Sequence, residues 1–208
     1  MLGWRDCAYT ANRMEPRDAA VSVITDRLRQ SAAVTEAMSA RAADIARAAS
    51  IIAQAFRRGG KLLLCGNGGS AADCQHVAAE FVNRLTRDKQ RAALPAQALA
   101  ADTAYLTAFA NDCGFEGVFA RQLEAFGTAG DVLLAISTSG ASANVLAAAS
   151  AARGRGIAVI ALLGETGPLA ALADVAIHVP STNTQLIQQV HLTVEHLMCE
   201  LVERALFQ

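Results

Sequence analysis

The sequence predicts an α/β fold: a three-layer α/β/α sandwich around a five-stranded parallel sheet, preceded by a pair of helices. Three observations predict it. Apolar runs too short for helices, such as Leu62-Leu63-Leu64-Cys65, alternate with segments whose apolar residues recur every three or four positions. Strands alternating with helices require crossover connections, which cover both faces of a parallel sheet. Two of the short runs pass directly into turns rich in glycine and serine, each followed by a helical pattern.

Residues 1–15 carry no periodic pattern and are expected to form a loose extension, leaving 16–208 as one domain that includes the helical pair. From Pro16 onward, Val21, Ile24 and Leu28 form a helical stripe. A second helix is expected over 40–58, ended by Gly59-Gly60. Two helices ahead of the first strand exceed what a small sheet needs, so they are expected to pack against another copy of the chain. A strand ending at Cys65 runs into Gly66-Asn67-Gly68-Gly69-Ser70. Ser70 is expected as the N-cap of the next helix, with Asp73 as a second acceptor in its first turn. A short strand near 96–99 follows, then helices over 103–110 and 115–126. A buried strand over 131–136 leads into Ser137-Thr138-Ser139-Gly140-Ala141-Ser142, and a helix covers 143–153. Strands at 157–163 and 175–179 precede a long final helix over 184–207.

Composition narrows the function. The 208 residues carry a formal net charge of −1, which leaves no electrostatic footprint for nucleic acid or an anionic membrane. No run approaches the ~20 apolar residues of a membrane span, and the first residues lack the apolar core of a secretion signal. A cytoplasmic protein is expected. Mean hydropathy is +0.28, with 53% hydrophobic residues. That excess of apolar surface implies an oligomer. Five cysteines without a CxxC pair read as reduced thiols, with Cys65 and Cys74 close enough to the key turn to raise the matter of oxidation.

Chemistry concentrates in the two turns and one helix. Glycines let the backbone lie close to a ligand, and the N–H groups opening a helix point at it. In the second turn, four hydroxyls in six residues offer a phosphate site that needs no lysine. Neither turn fits GxxxxGK[ST] or GxGxxG, so triphosphate hydrolysis and dinucleotide binding are not indicated. On the helix after the first turn, His76 and Glu80 are four residues apart and share a face. Taken alone such a pair is most often a surface interaction; beside the glycine turn it becomes an acid–base candidate. His196 has Glu200 one turn on, able to orient the ring. His191 and His178 read as structural. Gln188 and His196, eight residues apart, stand ~80° apart around a regular helix. Either that helix is irregular near Gln188 or a second subunit completes the site.

Together these segments resemble the phosphoheptose isomerases, members of the sugar-isomerase (SIS) domain proteins with a flavodoxin-like sheet. The motifs are Cys65-Gly66-Asn67-Gly68-Gly69-Ser70, the His76…Glu80 helix, Asn111-Asp112 before Gly114-Phe115, Ile136-Ser137-Thr138-Ser139-Gly140 and Ile187-Gln188…His191…His196. They cover the chain from Pro16 to its end in the family's order. The resemblance implies conversion of sedoheptulose 7-phosphate to D-glycero-D-manno-heptose 7-phosphate, a first step toward nucleotide-activated heptose for lipopolysaccharide or capsule. It further implies a homotetramer with active sites between subunits and one zinc ion per subunit, held by His76, Glu80, Gln188 and His196. By the same resemblance the substrate contacts are Asn67, Gly68, Gly69, Ser70, Glu80, Arg84, Asn111, Asp112, Ser137, Thr138, Ser139, Ser142 and Gln188. Arg84, one turn beyond Glu80, matches a family arginine associated with a neighbouring site. Gln189, Cys113 and Gln185 depart from residues common in the family, which bears on substrate preference and pH optimum.

A ketose–aldose interconversion moves a proton from C1 to C2 through an enediol and another between the oxygens. A carboxylate base and an imidazole acid suit these tasks, which assigns Glu80 to carbon and His196 to oxygen. Acid–base catalysis ranks above an essential metal, because a tightly ligating Glu80 is a hindered base. Two other readings stay open: isomerisation of a different phosphosugar, and a non-catalytic binding protein resembling the replication-initiator-associating SIS protein. Retention of His76, Glu80, Gln188 and His196 favours the enzyme.

Overall fold

The computed structural model describes residues 17–88 and 90–208; the expected extension over 1–15 lies outside the described residues. Helix α1 (Arg17–Ala37) passes through a 3-10 turn, Met38–Arg41, into α2 (Ala42–Arg57), which Gly59-Gly60 ends as expected. The chain continues through β1 (Leu62–Cys65), α3 (Gly69–Val82), β2 (Ala96–Ala98), α4 (Thr103–Cys113), α5 (Val118–Phe126), β3 (Val132–Ser137), α6 (Ala143–Gly154), β4 (Ala158–Leu163), β5 (Val175–His178) and α7 (Thr184–Phe207).

All five strands are parallel, in the order β2-β1-β3-β4-β5. Their side chains alternate between two cores, as the two-residue period of a strand requires. Leu62, Leu64, Leu134, Ile136, Ile160 and Ile177 face α2, α3 and α7. Leu63, Leu133, Ala135, Val159 and Leu163 face α5 and α6. Helices thus cover both faces of the sheet, and the predicted three-layer architecture is observed. Strand order reverses between β1 and β3, and ligands of open parallel sheets bind at the carboxyl ends of such a pair.

Helix α1 lies outside this scheme. It packs beside α7, where Ser31 donates to Gln189 Oε1 at 2.9 Å. Its Val21, Ile24 and Leu28 remain 54%, 60% and 67% exposed, so the predicted stripe finds no cover among the described residues. No helix among the described residues is long and apolar enough to cross a membrane.

Several expected boundaries are corrected. Helix α4 continues through Asn111 and Asp112, so these residues sit in its last turn instead of following it. Helix α5 starts at Val118, three residues later than its apolar pattern suggested. The helix carrying His76 ends at Val82, which leaves Arg84 exposed in the loop beyond it.

Candidate active site

Two turns leave the carboxyl ends of β1 and β3 side by side. The first is shaped by Gly68, which serves as N-cap of α3 with φ +56° and ψ −120°, a conformation that disfavours any residue with a Cβ. Its carbonyl accepts from the N–H groups of Ala71 and Ala72 at 3.1 and 3.2 Å. Helix α3 therefore opens earlier than expected. Ser70 is buried within the first turn and is not the N-cap, and the expected capping role of Asp73 is not observed: its Oδ2 is buried without a partner. The cause is Gly68, whose backbone freedom made a side-chain cap unnecessary.

The second turn gathers its hydroxyls. Ser137 Oγ lies 3.0 Å from Ser142 Oγ and 3.4 Å from Ser139 Oγ, and Ser139 Oγ accepts from the Ala141 N–H. The turns are pinned to each other by a reciprocal amide pair: Asn67 donates to Asn144 Oδ1 at 2.8 Å and Asn144 donates back at 2.9 Å. Asn144, buried at the start of α6, was not singled out from sequence; its place two residues after Ser142 was the available signal.

Helices α3 and α7 supply the ionisable groups. His76 Nε2 meets His196 Nε2 at 2.9 Å, with the rings edge to face. At that separation one nitrogen carries the proton and the other accepts it. The same His76 nitrogen stands 3.7 Å from Glu80 Oε1, while Glu80 Oε2 is buried and unpartnered. A carboxylate and an imidazole from segments 116 positions apart in the sequence therefore share one site, each against His76. An unpaired carboxylate oxygen inside such a site is free to accept a proton.

Glu200 does not orient His196; it binds Arg204 at 2.6 and 3.0 Å, because arginine one turn on offers a full charge and two donors. Helix α7 is continuous, so no irregularity brings Gln188 toward His196. Instead Gln188 packs at the other end of α3, where a Cβ on Gly69 would come within 2.5 Å of its Nε2. Asn111 donates to Asp112 Oδ1 at 2.8 Å on the exposed end of α4.

Two acids near the pair have raised pKa values: Asp73, which interacts with His76, and Glu195, which interacts with Asp73. Burial, then the charge of Asp73, pushes Glu195 up to about 8, and both its oxygens lack partners. Asp73 is raised by burial, with His76 opposing the shift. Burial holds His191 down at about 4, in keeping with a structural role. Burial also pushes Cys65 up to about 12 and raises Cys74, which keeps both thiols protonated and unreactive.

His76, Glu80 and His196 form a donor set that suits zinc in kind: two imidazole nitrogens and a carboxylate. Tetrahedral bonds of 2.0–2.1 Å would place such donors about 3.3 Å apart. The observed separations of 2.9 and 3.7 Å bracket that value. Yet among the described residues no group of three or more His, Cys, Asp or Glu is placed to hold a metal ion, these three included.

Comparison with known proteins agrees with this geometry. A model of the SIS domain matches residues 28–164. A phosphoheptose isomerase from Desulfovibrio desulfuricans is 50% identical, covering 92% of this chain and 91% of the relative. One from Alkalilimnicola ehrlichii is 46% identical over 93% and 98%. The phosphoheptose isomerase structure from Neisseria gonorrhoeae superposes with a TM-score of 0.83 at 41% identity, covering 89% of this chain and 99% of that one. By sequence and by structure, the chain belongs to the phosphoheptose isomerase family of SIS-domain proteins.

Proposed function

We propose that this protein isomerises sedoheptulose 7-phosphate to D-glycero-D-manno-heptose 7-phosphate. The observation that carries the proposal is the meeting of Glu80 and His196 at His76, next to two uncharged turns at the sheet's switch point. The relatives' names supply the substrate class, a phosphorylated heptose.

Helix N-terminal N–H groups and the hydroxyls of Ser137, Thr138, Ser139 and Ser142 hold the phosphate, and Asn67, Gly68, Gly69 and Ser70 line the first turn beside it. Glu80 takes a proton from C1 of the ketose on its unpartnered oxygen, giving an enediol, and returns it to C2. His196, sharing a proton with His76, moves the hydroxyl proton from O1 to O2. The products balance: one carbon-bound and one oxygen-bound proton have changed places. Gln188, at the Gly69 end of the groove, orients the sugar chain. Arg84, Asn111 and Asp112 stand exposed, where the far end of a substrate or a neighbouring subunit meets them.

Zinc would require His76, Glu80 and His196 to turn toward one point and would polarise the carbonyl; Gln188, packed against Gly69 at the other end of α3, is not among its donors within one subunit. The exposed stripe of α1 and an apolar groove lined by Met38, Ile45, Val194, Leu197 and Leu201 support assembly into a homotetramer. The heptose product serves glycans such as lipopolysaccharide or capsule, from a cytoplasmic enzyme. Incubation of the purified protein with sedoheptulose 7-phosphate, followed by NMR, should show the aldose product. No product at any zinc loading would favour the binding-protein reading.

A further inference from the structure

We infer that Arg91 is a positioning residue that, with Glu203, fixes helices α3 and α7 relative to each other and thereby sets the placement of Glu80 against His196. Glu203 lies two turns beyond His196 on α7, and Arg91 lies in the loop between α3 and β2.

Helix α3 has no basic residue in its last turn, so its final carbonyls and the negative end of its dipole lack a local cation. Arg91 supplies it from nine residues beyond the helix end. Its Nη2 donates to the carbonyl of Glu80 itself at 2.7 Å, and its Nη1 donates to the Phe81 carbonyl at 2.8 Å and to the Ala92 carbonyl at 2.9 Å. The remaining edge of the guanidinium turns to α7: Nε donates to Glu203 Oε1 at 2.6 Å. Glu203 accepts in addition from the Leu85 N–H at 3.3 Å, holding the chain that leaves α3. Phe207, the last residue of α7, places its ring 5.9 Å from the guanidinium carbon. Both charged side chains are 3% exposed.

The consequence is mechanical. One planar group ties the backbone of the proposed base to the helix that carries the proposed acid. Only arginine offers donors in a fixed fork able to reach two carbonyls and a carboxylate together; lysine keeps the charge on a single nitrogen. A bolt of this kind affects the reaction, because displacement by about 1 Å costs on the order of 100-fold in rate. The inference rests on the reading of Glu80 and His196 as the reacting pair.

The test uses the full-length protein and Arg91→Lys, with the exposed pair residue Arg121→Lys as control. Two readouts are taken: kcat and KM for sedoheptulose 7-phosphate, and the imidazole ¹⁵N signals of His76 and His196 without substrate. Arg91→Lys is expected to lower kcat by about 10- to 100-fold, to leave KM within about two-fold, and to shift both imidazole signals. Arg121→Lys is expected to change none of these. Wild-type kcat in Arg91→Lys overturns the inference, as does a lower kcat with unmoved imidazole signals. If wild type turns over no substrate, the functional reading fails, and the signals alone decide the bolt: shifted signals support it and unmoved ones refute it. Should Arg91→Lys not fold, Glu203→Gln, which keeps the shape and removes the charge, is subjected to the same readings.

Discussion

Replacing Gly69 by alanine probes the close approach of α3 and α7. A Cβ at this position would lie 2.5 Å from Gln188 Nε2, 2.9 Å from its Cδ and 3.1 Å from its Oε1. Ordinary contact begins at about 3.5 Å, so the amide must retreat by about 1 Å. The obstacle is the far end of a flexible side chain, and Gly69 has no positive φ, so the backbone has nothing to resist. Alanine also favours a helix over glycine by up to about 1 kcal/mol. Folding stability of Gly69→Ala should therefore stay within about 1 kcal/mol of wild type. Activity should not: an amide moved by about 1 Å predicts a loss of 10- to 100-fold in kcat/KM. Because both changes act on the same amide, adding Gln188→Ala to Gly69→Ala should cost no more than Gln188→Ala alone. Gly68→Ala gives the opposite signature. There the added atom meets open space, but φ is +56°, so stability should fall by about 1–3 kcal/mol. Thermal unfolding and turnover of sedoheptulose 7-phosphate decide the matter. Full activity in Gly69→Ala, or a stability loss above about 2 kcal/mol, would refute the geometry.

Three further outcomes are expected. His196→Asn should lower kcat by roughly 100- to 10,000-fold while calorimetry still detects substrate binding; loss of binding with kcat intact would reverse the assignment. Asp131 is buried, which raises its pKa, but bonds from Lys61 and Thr128 outweigh that and hold it below the ordinary carboxylate value. Its contribution is therefore present above the unfolded pKa and lost as pH falls through the lower folded one. Asp131→Asn should cost about 1.5–3 kcal/mol near pH 7, a difference that closes below about pH 4 in denaturant titrations. His191 has the sign of a histidine buried neutral, its folded pKa held at about 4. Between about pH 6.5 and that value the unfolded chain binds a proton that the native chain refuses, so stability falls with acidity. His191→Asn should flatten this slope; an unchanged slope would place the acid sensitivity elsewhere.

What the sequence could and could not disclose follows from the range of the interactions involved. The bounds of α7 were legible because Asn183, whose side chain accepts from Gln185 and Leu186, stands just before an apolar stripe that runs unbroken to the chain end. The strand runs and both turns were legible because local composition determines them. The start of α3 was not: Ser70 carries the cap chemistry, but a backbone angle at Gly68 determined the boundary. Nor was the partner of His196. Periodicity offered Glu200, four residues on, whereas the ring pairs with His76, 120 positions away, and Arg204 takes Glu200. Nothing local marks Arg91, which is buried because its partners come from the ends of two distant helices. Local signals placed the elements; tertiary contacts placed the side chains that the chemistry needs.

The most direct test of the central claim is turnover of sedoheptulose 7-phosphate in D₂O by wild type and by Glu80→Gln, followed by NMR. The account predicts that wild type forms aldoheptose 7-phosphate, with deuterium at C2 to the extent that the proton on Glu80 exchanges with solvent before its return, and that Glu80→Gln binds the ketose yet forms none. Product from Glu80→Gln at the wild-type rate would contradict it.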